Sequence, residues 1–168
     1  MKKRFLLLTL IMCLLGGVNS LSLKAQDVVT IDGTVGGYDQ TDHYLPPFDT
    51  YSKYTTSQII YSAEEINMPQ GGVISQIGFY IKSTTEMCTR DIKIYMRDMG
   101  EENDADDFGQ NNYKFNKMED EELVYDGSLS IGVLSDQWVN IDLNTDFPYT
   151  GYSILLCVFD ETGVENKE

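Results

Sequence analysis

Histidine is almost missing from this 168-residue chain: His43, beside Thr41 and Asp42, is the only one. Without a second imidazole there is no histidine pair for a metal. A Cys–His nucleophile pair would need Cys88 or Cys157 carried to His43 from far along the chain, so an exposed loop histidine is the plainer reading. Cysteine is scarce as well, with three in all. The chain carries no HExxH, no P-loop, no G-x-S-x-G and no dinucleotide-binding glycine pattern, which argues against zinc and nucleotide chemistry. After the first 18 residues no apolar run approaches the ~20 residues of a spanning helix. Amphipathic helices of ordinary length, internal repeats and low-complexity linkers are also lacking.

What is present begins with an export signal. Lys2, Lys3 and Arg4 precede the apolar run Phe5–Val18, and a short polar stretch leads to Leu23-Lys24-Ala25. This is the layout of a secretory signal peptide, with residues 1–25 removed and Gln26 as the new N-terminus. Cys13 sits behind the bulky Met12 and is a poor lipid-anchor cysteine. Residues 26–168 are expected to form a single domain, exported to the periplasm, cell surface or medium. Four of the 12 basic residues leave with the signal and none of the 27 acidic ones, so the remainder carries a formal charge of −19. Such a surface repels nucleic-acid phosphates and anionic lipid headgroups, and its plain function is solubility outside the cell.

The apolar pattern has the period of strands. Val73, Ile77, Phe79 and Ile81 fall on one face, with Gln76, Tyr80 and Lys82 on the other. Ile92, Ile94 and Met96 alternate with Asp91, Lys93, Tyr95 and Arg97, and Val139, Ile141 and Leu143 with Asn140 and Asp142. Each segment therefore turns one face to a core and one to water. Tyr152–Phe159 is nearly all apolar, as in a strand covered on both faces. Turn chemistry is expected at Gln70-Gly71-Gly72, Asp126-Gly127, Asp146-Phe147-Pro148 and Thr150-Gly151. Ser62 followed by Glu65 fits a capping box over a short helical turn. Many short strands without helical crossovers predict an all-β fold: a two-sheet antiparallel β-sandwich, jelly-roll-like. The glycine- and proline-broken stretch up to Tyr61, rich in tyrosine and phenylalanine, is expected to wrap this sandwich.

Candidate sites follow from side-chain chemistry. Tyr38, Tyr44, Tyr51 and Tyr54, together with Trp138, offer flat faces for sugar rings, against a default role in packing. Trp138 precedes the inward series Val139, Ile141 and Leu143 and should point away from that core. In the acidic loop, Glu101, Asp104, Asp106 and Asp107 are candidate calcium ligands, although the spacing is not that of an EF-hand and a solvated charge run is the alternative. No other cofactor is implied. Export permits a disulfide between Cys88 and Cys157, while the apolar run around Cys157 suits a free thiol. Two carboxylates suited to sugar hydrolysis cannot be picked from 27 by spacing, since their separation in space defines them.

An ordered series of fragments adds a resemblance. Gln58-Ile-Ile-Tyr-Ser-Ala-Glu-Glu-Ile66 is followed by Gly71-Gly-Val-Ile-Ser-Gln-Ile-Gly-Phe-Tyr80 and Thr89-Arg-Asp-Ile-Lys-Ile-Tyr-Met96. Then come Val124-Tyr-Asp-Gly-Ser128, Gln137-Trp-Val-Asn-Ile-Asp-Leu143, Phe147-Pro-Tyr-Thr-Gly151 and Asp160-Glu-Thr-Gly163. In order and spacing, residues 31–163 resemble a β-rich module that recurs in secreted and surface proteins of Bacteroidetes, often beside peptidase, fibronectin-type-III-like or sorting domains. The resemblance implies a non-catalytic, adhesin-like module that binds a glycan or an extracellular or cell-surface protein, and it carries over no catalytic residue. The loop between Met96 and Val124 is more acidic than the module's pattern. Such modules also continue past the D-x-T-G corner, whereas this chain ends at Glu168. If that marks a truncation, Tyr152–Phe159 is expected to present an unpaired apolar edge open to self-association. The rival expectations are therefore a structural component assembled through that edge, and a small glycoside hydrolase with a carboxylate pair.

Overall fold

The computed structural model describes residues 27–31, 47, 52–84, 87–100, 115–132 and 134–164. Six strands dominate them: β1 (Thr55–Tyr61), β2 (Gly72–Thr84), β3 (Cys88–Asp98), β4 (Leu123–Ile131), β5 (Leu134–Tyr149) and β6 (Ile154–Asp160). Among the described residues the helical content is one turn, α1 (Ala63–Ile66), and a 3-10 turn at Asp120–Glu122. The Ser62 hydroxyl accepts the Glu65 N–H while the Glu65 carboxylate accepts the Ser62 N–H, so the capping box is formed as expected.

Two antiparallel sheets result, one of four strands in the order β1-β6-β3-β4 and one of the pair β2-β5. The pairing is nested: β1 with β6, β2 with β5 and β3 with β4, after which β6 also pairs with β3. A long hairpin folded back on itself and then rolled up gives this pattern, which is the jelly-roll principle. The all-β sandwich read from the strand periods is the fold of the chain.

The core lies between the sheets. Ile92, Ile94 and Met96 of β3 share a face with Ile154, Leu156 and Val158 of β6, and these meet Phe79, Ile141, Phe147 and Tyr149 of the smaller sheet. Burying each such side chain contributes about 1.5–3 kcal/mol. On the far face of the larger sheet, Tyr95 of β3 and Phe159 of β6 meet edge to face at 5.4 Å.

Several expectations need correction. Tyr152–Phe159 leaves no open edge: β6 lies between β1 and β3, hydrogen-bonded on both sides, and both of its faces are covered, every residue from Ile154 to Val158 being buried, which suits its apolar run. The self-association expected of that edge loses its basis. Asp126-Gly127 is not a turn but the middle of β4, with Gly127 opposite Ile92. Asp146-Phe147-Pro148 likewise runs inside β5, where Phe147 faces Ile74 and Pro148 faces Val73. Both are turn-type residues overridden by partner strands. The last seven residues of the supposed wrapping segment form the strand β1.

The disulfide does not form either. Cys88 and Cys157 are free, buried thiols. Cys157 lies opposite Tyr95, seven residues along β3 from Cys88. That is roughly 23 Å at the rise of a strand, whereas a bridge needs Cα atoms within about 7 Å. Cys88 opens β3 and packs in the core.

Candidate functional site

The outer face of the β2–β5 pair is built from alternate residues. The register sets Gln76 opposite Asp142, Gly78 opposite Asn140 and Tyr80 opposite Trp138, while the intervening Ile77, Phe79, Val139 and Ile141 turn inward. Trp138 therefore does point away from the core, as its position before the inward series implied. It remains 48% exposed and Tyr80 51%, large values for aromatic rings in a strand pair. The two rings stand edge to face with centroids 5.6 Å apart. This is a favoured aromatic geometry, and it holds both rings in place while leaving half of each open to water.

Gly78 shapes the middle of this row. A Cβ there would lie 2.6 Å from Asn140 Oδ1 and 3.3 Å from Trp138 Cε3. The Asn140 amide and the edge of the indole thus occupy the space that a side chain at position 78 would fill. Beyond them the Gln76 amide donates to Asp142 Oδ1 at 2.6 Å, a cross-strand pair that leaves carboxylate and amide lone pairs and protons at the surface. Between Ile74 and Gln76 the register shifts, so that four residues of β5 stand opposite Ser75 alone. There Asn144 Oδ1 accepts the Asp126 N–H of β4 at 2.6 Å and ties the smaller sheet to an edge of the larger. The row thus offers two aromatic faces, an amide, and an amide–carboxylate pair, in that order along the strands.

Tyr54 does not join this site. It precedes β1, is 67% exposed, and its hydroxyl lies over Gly163 at the end of the four-stranded sheet. Tyr38, Tyr44 and Tyr51, the calcium candidates Glu101, Asp104, Asp106 and Asp107, and His43 lie outside the described residues. No cluster of three or more metal-ligating side chains occurs among the described residues. The carboxyl of Glu122 is held below its ordinary range, mainly by hydrogen bonds from Arg97 and with help from the Glu119 backbone N–H, against an opposing effect of burial. That is the reverse of what a general acid for sugar hydrolysis needs.

Sequence reasoning missed two groups. Tyr80 was placed on the outward face, but only the register reveals Trp138 as its partner. The second group is the corner around Arg90 and Asp160, where two of the sequence fragments meet. Arg90 Nε donates to Asp160 Oδ2 at 2.6 Å, its Nη2 to the Ser52 carbonyl at 2.6 Å and its Nη1 to the Val164 carbonyl at 3.1 Å. Thr162 donates through its N–H and hydroxyl to Asp160 Oδ1, and that hydroxyl accepts the Asp91 N–H. The Gly163 N–H closes the corner on the Lys53 carbonyl. The signal lay in the alternation: Arg90 is in phase with Ile92 and Ile94, and Asp160 with Leu156 and Val158, so both charges point to the core and need each other.

No protein-family model, curated protein or solved structure matches this chain.

Proposed function

We propose that this protein is a non-catalytic, exported β-sandwich module that binds an extracellular ligand, a glycan or a protein, through the outer face of the β2–β5 pair. The observation that carries the reading is the Tyr80–Trp138 pair, two half-exposed rings held edge to face on the β2–β5 strand ladder. Exposed aromatics placed beside fixed polar groups are the usual makings of a recognition surface. The signal-peptide layout and the ordered resemblance to a Bacteroidetes surface module support an extracellular setting. The acidic composition favours partners that are not polyanions.

Trp138 is the only tryptophan, so the protein's indole fluorescence reports on this face directly. Purified protein is titrated with extracellular polysaccharides and with purified cell-surface proteins while acrylamide quenching is followed. A ligand that shields Trp138 and loses affinity in Trp138→Ala supports the reading. A ligand that binds with unchanged quenching and equal affinity for Trp138→Ala places recognition elsewhere and overturns it.

A further inference from the structure

Resting on that reading, we infer that the ligand of this face is a neutral oligosaccharide of at least two rings, lying along the strands rather than across them. The dimensions of the site argue for it. From the Tyr80–Trp138 pair to the Gln76–Asp142 pair is four residues of strand, about 13 Å. The ladder is two strands wide, and strand spacing is about 5 Å. A strip of this shape is far smaller than the ~800 Å² that each partner buries in a stable protein interface. It matches the length and width of a short sugar chain.

The order of groups gives each ring a role. One ring stacks its C–H face on Trp138 or Tyr80, whose mutual contact leaves them held without a ligand. The Asn140 amide, lying over Gly78, offers both a donor and an acceptor to the hydroxyls between the two ends. A second ring meets the exposed Gln76–Asp142 pair, where the carboxylate accepts from hydroxyls and the amide donates to them.

Charge decides which sugars. The stretches 73–80 and 138–148 that form this face contain no lysine or arginine, Asp142 lies within the row, and Lys82, the next residue of the outward series of β2, comes only beyond its aromatic end. A uronate or sulfate would therefore meet a carboxylate with no cation from these stretches beside it, on a protein of strongly negative net charge. Hydroxyl-only sugars carry no such penalty.

The test is affinity electrophoresis of the purified protein in gels containing a neutral polysaccharide (a β-glucan, a mannan or a galactan) or a polyanionic one (alginate or heparin), with Trp138 quenching read in parallel. At least one neutral polymer is expected to retard the protein and the polyanions are not. Trp138→Ala should weaken retardation about tenfold or more. Gly78→Ala, which displaces Asn140 and Trp138 without removing either ring, should weaken it several-fold while thermal unfolding confirms a folded protein. The oligosaccharide of the retarding polymer should compete at least about tenfold better than its free monosaccharide, counted per ring. Retardation by a polyanion, or equal competition by the monosaccharide, overturns the inference. If no polysaccharide retards the protein but a surface protein shields Trp138, the inference fails and the binding function stands. If neither shields Trp138, both fail.

Discussion

Arg90 and Asp160, seventy positions apart, form a 2.6 Å salt bridge in which neither side chain is exposed. The remaining hydrogen-bonding capacity of both groups is largely used: the guanidinium also donates to the Ser52 and Val164 carbonyls, and the second carboxylate oxygen accepts from Thr162. The pair thus fastens β3, β6, the entry to β1 and the last described residues at one corner. Removing one partner leaves the other charge buried and uncompensated. Asp160→Ala should destabilise the protein by about 3–5 kcal/mol, measured as a fall in the denaturant midpoint. A loss below ~1 kcal/mol would show that water enters the corner and that the pair is not buried as described.

Arg97 and Glu122 give a smaller, pH-dependent contribution. Hydrogen bonds from Arg97 hold the Glu122 carboxyl below its ordinary value of 4.5. The unfolded chain therefore binds the proton more readily, so the stabilisation is complete above about pH 4.5 and is lost as pH falls through the lower folded value. The pair is partly exposed and is worth at most about 1 kcal/mol. The stability difference between wild type and Arg97→Met should be constant at neutral pH and shrink below about pH 4.5 in urea titrations. A difference that grows on acidification contradicts this.

Gly71 leads into β2 with φ +66°, and a Cβ there would run into the Tyr149 carbonyl oxygen. The obstacle is backbone and cannot swing aside. Gly71→Ala should therefore cost roughly 1–3 kcal/mol from strain at this position, measured by thermal unfolding. By contrast, Gly78→Ala meets the ends of side chains and should cost about 1 kcal/mol or less.

The two cysteines allow a chemical check of the register. Burial pushes the Cys157 thiol up, only partly offset by the Gln58 amide donating to its sulfur at 3.5 Å. Gln58 also clasps Asn116 through both backbone groups, donating to its carbonyl at 2.7 Å and accepting its N–H at 2.9 Å. Native protein should react slowly with a thiol reagent, and both Cys88 and Cys157 should titrate as free thiols once unfolded without reductant. Gln58→Ala should speed labelling of Cys157 by about tenfold or more while leaving Cys88 unchanged, because it removes both the clasp and the contact with the sulfur. A mass two units lower without reductant would mean a disulfide and a different register.

Local pattern carried much of this fold. The alternation at Ile92–Met96 and Val139–Leu143, the unbroken apolar run of β6 and the capping box at Ser62 and Glu65 each appear where the sequence places them, because period and capping depend on near neighbours. Asp126-Gly127 and Asp146-Phe147-Pro148 were misleading because a partner strand can hold turn-type residues extended. The outward direction of Trp138 was legible from its place before Val139, whereas its pairing with Tyr80, 58 residues earlier, was not.

By itself, then, the sequence determined the strand character of the stretches around Ile77–Phe79, Ile92–Met96, Val139–Leu143 and Ile154–Val158 and which of their residues are apolar, and it set the acidic charge of the chain. It also determined that Trp138 faces outward. Tertiary structure decided the nested pairing that puts β6 inside its sheet, the meeting of Arg90 with Asp160, the separation of Cys88 from Cys157, and the aromatic row on β2 and β5. The physical reason is range: side-chain direction repeats every two residues along one strand, while register is a choice among whole strands. That choice is made only when the entire core packs.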